Sequence, residues 1–466
     1  MTRVVIVGGG PGGYEAALVG AQLGAEVVLV DRDGLGGSAV LTDCVPSKTL
    51  IATAELMTSI EESRELGVRF GHVADADEVA SVDLAKVNTR VKRLAASQSH
   101  DIAGKLEAES VRVVRGTGRL ASAETVVVST EDGEETLPAD AVLLATGAQP
   151  RVLPSAPPDG ERILTWEQVY DLTELPEHLV VVGSGVTGAE LAGAYLALGS
   201  QVTLVSSRDR VLPGEDADAA AVLQDVFTRR GMQVLSRSRM SAVRRDGDKV
   251  RVELADGRSV EGSHCLLAVG SVPNTADLGL EAAGVTTDER GFIPVDRVSR
   301  TSARGVYAAG DCTGVLMLAS VAAMQGRIAM WHALGDAVAP LTLAHVSANV
   351  FTDPEIATVG VSQAAADADS SDTFAIMLPL AGNARAKMQG IEDGFVKLFC
   401  RSGSGIVVGG VVVAPTASEL IHPIALAVAC NLTVDQLANA FTVYPSLTGS
   451  LAEAARRLHL HQPAPA

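Results

Sequence analysis

Aromatic side chains are scarce in this chain, with Phe, Tyr and Trp together making up 3% of its 466 residues. Its cores must therefore be assembled from Val, Ala, Leu and Ile, and hydrophobic residues at 47% supply enough for several of them. A chain of this length points to roughly three domains rather than one. No apolar run approaches the 18 or so residues that span a bilayer. The longest candidate, Ile406 to Val413, is interrupted by Gly409 and Gly410. Positive charge is short as well: 37 Lys and Arg stand against 56 Asp and Glu, a net −19. Such a surface argues against nucleic acid and against anionic lipid headgroups as partners. Met1-Thr2-Arg3 runs straight into the apolar Val4-Val5-Ile6-Val7, with no small-residue cleavage site after a short apolar region. A signal peptide is therefore not expected, and the first strand is expected to start almost at residue 1. The five cysteines (Cys44, Cys265, Cys312, Cys400, Cys430) form no CxxC pair. That pattern fits a reducing cytoplasm and offers no structural zinc site. The histidines, His264, His345, His422, His459 and His461 among them, show no metal-ligand spacing beyond the tail pair, and no metal is expected.

Glycine, in contrast, is abundant at 46 residues, as many tight strand-to-helix turns require. Short Val/Ile/Leu runs alternate with Ala-rich helical stretches through the first two thirds, the grammar of βαβ units around buried parallel sheets. Val4 to Asp31 reads as strand, glycine turn, helix, strand, and Leu179 to Ser207 repeats the unit. Pro154, Pro157 and Pro158 mark Arg151 to Pro158 as a linker, and a further boundary falls near Val272-Pro273-Asn274. Beyond about Pro340 the grammar changes. Gly394 to Phe399 and Ile406 to Val408 read as neighbouring strands, followed by a helical stretch from Ser418 to Asn431 and a frayed polar tail from about His459 to Ala466. The expected fold class is α/β: two doubly wound Rossmann-like dinucleotide-binding domains and a C-terminal α+β domain. The expected divisions are 1–150, 151–274, 275–340 and 341–466.

The first glycine loop places Gly8, Gly10 and Gly13 in GxGxxG spacing between a strand and a helix. Its glycines make the turn, admit a pyrophosphate to the backbone and let the helix pack closely. Asp31 ends the following strand, where a carboxylate can bind a ribose diol. The second loop carries Gly183, Gly185 and Gly188, yet no acid follows its second strand. Ser206, Ser207 and Arg208 stand there instead, with Arg210 nearby. Small polar residues and a cation suit a 2′-phosphate better than a bare diol, so NADPH is expected, with NADH possible. Two such loops are open to three readings: a transhydrogenase, a flavoenzyme, or a duplicated domain with one inactive copy.

The segment after Asp31 narrows these readings. Gly36-Gly37-Ser38-Ala39-Val40-Leu41-Thr42-Asp43-Cys44-Val45-Pro46-Ser47-Lys48 resembles the GGxCxxxxCxPSK motif of the flavoprotein disulfide reductases, the lipoamide dehydrogenase-like pyridine nucleotide-disulfide oxidoreductase family. Ala145-Thr146-Gly147, Ala268-Val269-Gly270 with Pro273-Asn274, Ala309-Gly310-Asp311, and Phe351-Thr352-Asp353-Pro354-Glu355 with Val359-Gly360 resemble further family signatures in the same order. The resemblance implies FAD on the first loop, with Gly37, Ser38, Thr146, Gly147 and Asp311 around it, and NAD(P)H on the second, with Gly270 nearby. It also implies that Lys48 stands beside the flavin N5, that Glu190 is its carboxylate partner, and that the C-terminal domain forms a homodimer. A cation there stabilises the anionic reduced flavin.

Two departures from the family pattern bear on function. Ala39 stands where the family has its substrate-attacking cysteine, so only Cys44, the flavin-proximal one, remains. One thiol cannot form the internal disulfide that passes electrons to a dithiol substrate. At the family's HPxLxE signature the chain reads Tyr444-Pro445-Ser446-Leu447-Thr448-Gly449, replacing both the histidine and its glutamate partner. A phenol of pKa near 10 is no substitute for an imidazole as proton shuttle near neutral pH. Cys44, expected at a helix N-terminus, is read as an inert thiol, as a charge-transfer contact to the oxidised flavin, or as a thiol that forms a mixed disulfide with a small thiol. The resemblance is strongest to the disulfide-less NAD(P)H quinone reductase type, which implies a cytoplasmic NAD(P)H:quinone oxidoreductase without lipoamide dehydrogenase activity. The alternatives are a soluble pyridine nucleotide transhydrogenase and a non-catalytic redox-sensing flavoprotein.

Overall fold

The computed structural model describes residues 1–68, 80–368 and 372–460. The expected frayed tail falls mostly on 461–466, outside the described residues, while His459 lies in the helix Gly449–Leu460.

The chain divides into two compact units. In the first, Met1–Thr49, Asn88–Arg151 and Gly270–Thr342, five parallel strands are ordered Val306–Ala308, Ala141–Leu144, Arg3–Val7, Glu26–Asp31, Arg112–Arg115. Val4 pairs with Val27 on one side and Ala141 on the other. Val4, Val5, Ile6 and Val7 are all buried, the uninterrupted apolar run of a strand covered on both faces. Side chains such as Ile6, Leu29 and Leu143 each contribute about 1.5–3 kcal/mol when fully buried. The helix Pro11–Gln22 buries a stripe of small residues (Gly12, Gly13, Ala16, Ala17, Gly20). Those residues let it meet the helix Ala319–Ala333 so closely that a Cβ on Gly326 would lie 2.0 Å from the Gly12 carbonyl oxygen. A three-stranded antiparallel sheet, Thr117–Ser122, Thr125–Thr130 and Gly133–Pro138, completes the unit with the short pair Ala148–Pro150 and Ser271–Pro273.

The second unit, Leu50–Val87, Val152–Val269 and Leu343–Ala466, repeats the plan. Its five parallel strands run Gln233–Leu235, Gln201–Val205, His178–Val182, His264–Leu267, Ile163–Thr165, beside a three-stranded antiparallel sheet from Met240 to Gly262. The C-terminal part is different: a five-stranded antiparallel sheet in the order Ser347–Val350, Glu355–Gly360, Val407–Ala414, Phe395–Arg401, Thr373–Pro379. The two strands expected here do pair, Val396 opposite Val412. The helix expected over Ser418 to Asn431 is instead two, Ala417–Leu420 and His422–Ala429. Pro423 near the start of the second has no N–H for the carbonyl one turn back, so the helix restarts there.

Lys397 stands among the buried residues of Phe395–Arg401, 2% exposed. Its ammonium donates to both oxygens of Asp216, at 2.9 and 2.8 Å, and to Asp218 Oδ2 at 2.6 Å. Asp216 also caps the helix Ala217–Arg229, accepting from the Asp218 and Ala219 amides. All three ammonium protons are thereby used, which is what makes a buried charge tolerable. Among the described residues no helix is long and apolar enough to cross a membrane.

Candidate dinucleotide sites

Each glycine loop is built by backbone approaching backbone. Gly8 has φ +107°, and a Cβ there would sit 2.2 Å from the Ala145 carbonyl oxygen. A Cβ on Gly13 would lie 1.8 Å from the Gly8 oxygen, so the helix Pro11–Gln22 starts hard against its own strand end. Gly10 caps that helix without any side-chain bond, and around it only the Gly37 Cα comes within 4 Å, at 3.9 Å. A helix start that faces open space presents the positive end of its dipole, and it fits the pyrophosphate of a dinucleotide. Asp31 is aimed by three amides: Gly9 N–H to Oδ2 at 2.7 Å, Asp33 and Gly34 N–H to Oδ1 at 2.9 and 2.6 Å. A carboxylate has about four acceptor sites, so capacity for ribose hydroxyls remains.

The other first-unit candidates gather about this loop in part. The Gly36 N–H donates to the Gly9 carbonyl at 2.8 Å, which brings Gly37 beside Gly10, and Ser38 follows in the short helix Gly37–Leu41. Thr146 and Gly147 are locked to Asn274: the Thr146 hydroxyl donates to its carbonyl at 2.7 Å, and its side-chain amide donates back to the Thr146 carbonyl at 3.0 Å. Gly270 accepts from the Arg151 amide at 2.9 Å. Asp311 opens a single turn, Asp311–Thr313, and burial, then the nearby Asp43 carboxylate, pushes its pKa up to about 6. Gln325, which the sequence reading did not single out, holds that turn: buried, it accepts the Gly310 N–H at 2.9 Å. Cys44 and Lys48 lie one turn apart at the start of the helix Cys44–Glu62, Cys44 being its first residue and half-buried.

The second loop repeats these distances. A Cβ on Gly183 (φ +113°) would lie 2.1 Å from the Ala268 oxygen, and one on Gly188 1.9 Å from the Gly183 oxygen. Gly185 caps the helix Val186–Ala197 with nothing within 4 Å of its Cβ position. Where the first loop has Asp31, Ser206 is fully buried and bonded to the Ser184 hydroxyl at 2.6 Å. It also accepts from the Arg208 amide at 3.1 Å. Ser206 is thus consumed within the loop, while Ser207 and Arg208 beside it are exposed. Nothing in the spacing announces the Ser184–Ser206 pair. Glu190 lies in Val186–Ala197, 4% exposed, and its Oε1 accepts the Phe351 N–H at 2.8 Å.

Residues 2–326 match the family described as pyridine nucleotide-disulphide oxidoreductase, and residues 346–455 match its dimerisation domain. The chain belongs to the pyridine nucleotide-disulphide oxidoreductase family. Among relatives, an NAD(P)H dehydrogenase (quinone) of Mycobacterium tuberculosis is 55% identical over 471 residues, covering 99% of this chain and 94% of its own. A dihydrolipoyl dehydrogenase of Geobacillus stearothermophilus is 32% identical over 465 residues, covering 99% and 97%. The crystal structure of LpdA from Mycobacterium tuberculosis superposes with a TM-score of 0.93 at 54% identity, covering 98% of this chain and 100% of that one.

Within this oxidoreductase family the positions of departure are plain. Ala39 lies half-buried in Gly37–Leu41 and brings no second sulfur to Cys44. Tyr444 is 85% exposed, in a stretch where Phe441 and Val443 are exposed too, and Gly449 begins the helix Gly449–Leu460.

Proposed function

We propose that this family member is an FAD-dependent NAD(P)H:quinone oxidoreductase that hands electrons from the flavin to a quinone directly. The observation that carries this reading is Ala39: with alanine there, the motif lacks the cysteine pair through which electrons could reach a dithiol. The M. tuberculosis relative bearing the name NAD(P)H dehydrogenase (quinone) supports the same acceptor class.

In this reading the first loop, Gly8, Gly10 and Gly13 with Asp31, Gly37, Ser38, Thr146, Gly147 and Asp311, holds FAD. The second, Gly183, Gly185, Gly188, Ser207 and Arg208, with Gly270, holds NADPH, with NADH possible. When bound, the flavin supplies a carrier that accepts two electrons as hydride and releases them to an acceptor. The amides of Pro11–Gln22 and Val186–Ala197 bind pyrophosphate, Asp31 orients a ribose and the Arg208 guanidinium meets the 2′-phosphate. Lys48 supplies a cation for the charge that develops on reduction, and Glu190 is the carboxylate that keeps that cation oriented. Residues 1–150 and 275–340 serve the flavin, 151–274 the nicotinamide nucleotide, and 341–466 a homodimer. The exposed apolar side chains of Phe441 and Val443 favour burial against a second copy. The enzyme is proposed to work in the cytoplasm, where NAD(P)H is held.

An acceptor panel tests the reading. Flavin reduced by NADPH is expected to reoxidise rapidly with benzoquinones and naphthoquinones and not with lipoamide. Reoxidation by NAD analogues alone would sink it in favour of transhydrogenation, and slow transfer to every acceptor would favour a redox sensor. Cys44→Ser is expected to keep quinone turnover within about twofold, since no thiol step is involved.

A further inference from the structure

In the first unit, Gly8, Thr146 and Asp311 all follow the ends of their strands, Arg3–Val7, Ala141–Leu144 and Val306–Ala308. The starts of the last two strands lie about 10–13 Å away along the sheet. They border a cleft of about 790 Å³, lined only by residues of this unit. That volume falls within the range of roughly 300–1,000 Å³ in which small-molecule sites occur.

Both acids of the lining are already matched. Asp140 accepts from Arg3 Nη2 at 2.9 Å, and Asp296 accepts from Arg300 Nε at 2.7 Å. Arg304, exposed just before Val306–Ala308, has no ion pair or side-chain hydrogen bond among the described residues. The cleft is therefore left with one unanswered positive charge. On its buried side Tyr307 is 7% exposed, and its hydroxyl lies 2.9 Å from His332 Nδ1. When Nδ1 accepts from that hydroxyl, Nε2 carries the ring proton, and no described residue takes it. The Thr286 hydroxyl is likewise uncommitted, while Pro294, Val295, Ala303 and Ala333 supply an apolar wall. The helix Ala319–Ala333 also ends here, which by itself would repel an anion. Its last carbonyls are taken, however: Trp331 accepts from the Asp336 amide at 2.9 Å and His332 from the Gly335 amide at 3.3 Å.

We propose that this cleft binds a small organic anion, a carboxylate or phosphate head on an apolar body, apart from both dinucleotide loops. Arg304 meets the head, the His332 Nε2–H and the Thr286 hydroxyl donate to it, and the apolar wall covers the body. A cationic ligand finds no free carboxylate here, and a bare inorganic ion leaves the apolar wall in water. The site is independent of the electron acceptor, so it and the quinone reading stand or fall separately.

The test is titration calorimetry near neutral pH on the yellow holoenzyme saturated with NADP⁺, with 1-naphthoate, 1-naphthyl phosphate, the neutral 1-naphthol and inorganic phosphate as four separate probes. The two naphthyl anions are expected to bind once per chain with Kd below about 1 mM, and 1-naphthol and inorganic phosphate at least about tenfold more weakly. Arg304→Ala should weaken both naphthyl anions about tenfold, and Arg304→Lys should recover part of the loss. Thr286→Trp, which fills the cleft from an exposed position, should abolish binding. All three variants should keep wild-type flavin content and NADPH oxidation, which separates loss of the site from misfolding. Absence of binding by either naphthyl anion at about 1 mM, or unchanged binding in Arg304→Ala and Thr286→Trp, would overturn the site. Binding of 1-naphthol as tight as that of 1-naphthoate would overturn its assignment to an anion.

Discussion

The two glycine loops are near-copies in backbone and opposites in charge. Gly8, Gly10 and Gly13 correspond to Gly183, Gly185 and Gly188, with the forbidden Cβ contacts at 2.2 and 1.8 Å in one and 2.1 and 1.9 Å in the other. At the strand end that follows, the first loop presents Asp31 on the Gly9 amide, and the second buries Ser206 against Ser184. Shared backbone geometry thus fits both loops to the same kind of group, a pyrophosphate. The side chain at that strand end is where the loops differ in what they offer the ribose beyond it. A carboxylate favours a bare diol and repels a phosphate there, while an internally satisfied hydroxyl pair is indifferent to both and leaves the choice to Arg208.

Opening either turn breaks the comparison most severely. Gly13→Val and Gly188→Val each drive a side chain into a backbone oxygen, yet with different results. The first should purify without bound flavin, as absorbance at purification would reveal. The second should stay yellow but resist reduction by NADPH even at about 1 mM, the upper end of ordinary KM values.

Asp311 belongs to the first unit, and pH acts on that unit through it. Its folded pKa of about 6 lies above the unfolded value of 3.8. Between those values the folded state binds more protons, so its contribution to stability is present below the unfolded value and is lost as pH rises to 6. The shift corresponds to about 3 kcal/mol. Asp311→Asn should therefore stabilise flavin-free protein at pH 8 by up to about 3 kcal/mol, with the difference gone near pH 4 in a denaturant titration. An unchanged gap across that range would place the titrating group elsewhere.

Ser206→Asp makes the second loop resemble the first. A carboxylate at that strand end should raise KM for NADPH at least about tenfold while leaving NADH within about threefold, a difference near 1.4 kcal/mol. Arg208→Ala is the gentlest of the five changes. An exposed cation contributes about 1 kcal/mol or less, so KM for NADPH should rise about fivefold and the wild-type preference should weaken with salt. Equal effects of Arg208→Ala on NADH would remove the 2′-phosphate from the argument.

The parts of this molecule that were legible in advance are those governed by local rules. Strand, turn and helix from Val4 to Asp31 follow from hydrophobic runs and glycine spacing, and the structure has them as Arg3–Val7, Pro11–Gln22 and Glu26–Asp31. The family signatures were legible because their residues are contiguous. What escaped depends on residues far apart in the chain. Ala145 presses on Gly8 across 137 positions of sequence (145 − 8), and Gln325 reaches Gly310 from another helix. Ser206 looked available for a ligand because composition cannot report that Ser184 occupies it. Lys397 sits in a run of apolar residues where pattern alone gives no reason for a charge.

Lys397 also sets the order in which its neighbourhood can change over generations. Asp218 is more than half exposed, whereas Asp216 and Lys397 are almost wholly enclosed. Losing Asp218 strands no enclosed charge, so drift can remove it first. Losing Lys397 or Asp216 alone leaves a buried ion unmatched, at a cost of about 3–5 kcal/mol. Those two positions can therefore turn over only together, and distant descendants of this chain should keep both residues or have replaced both.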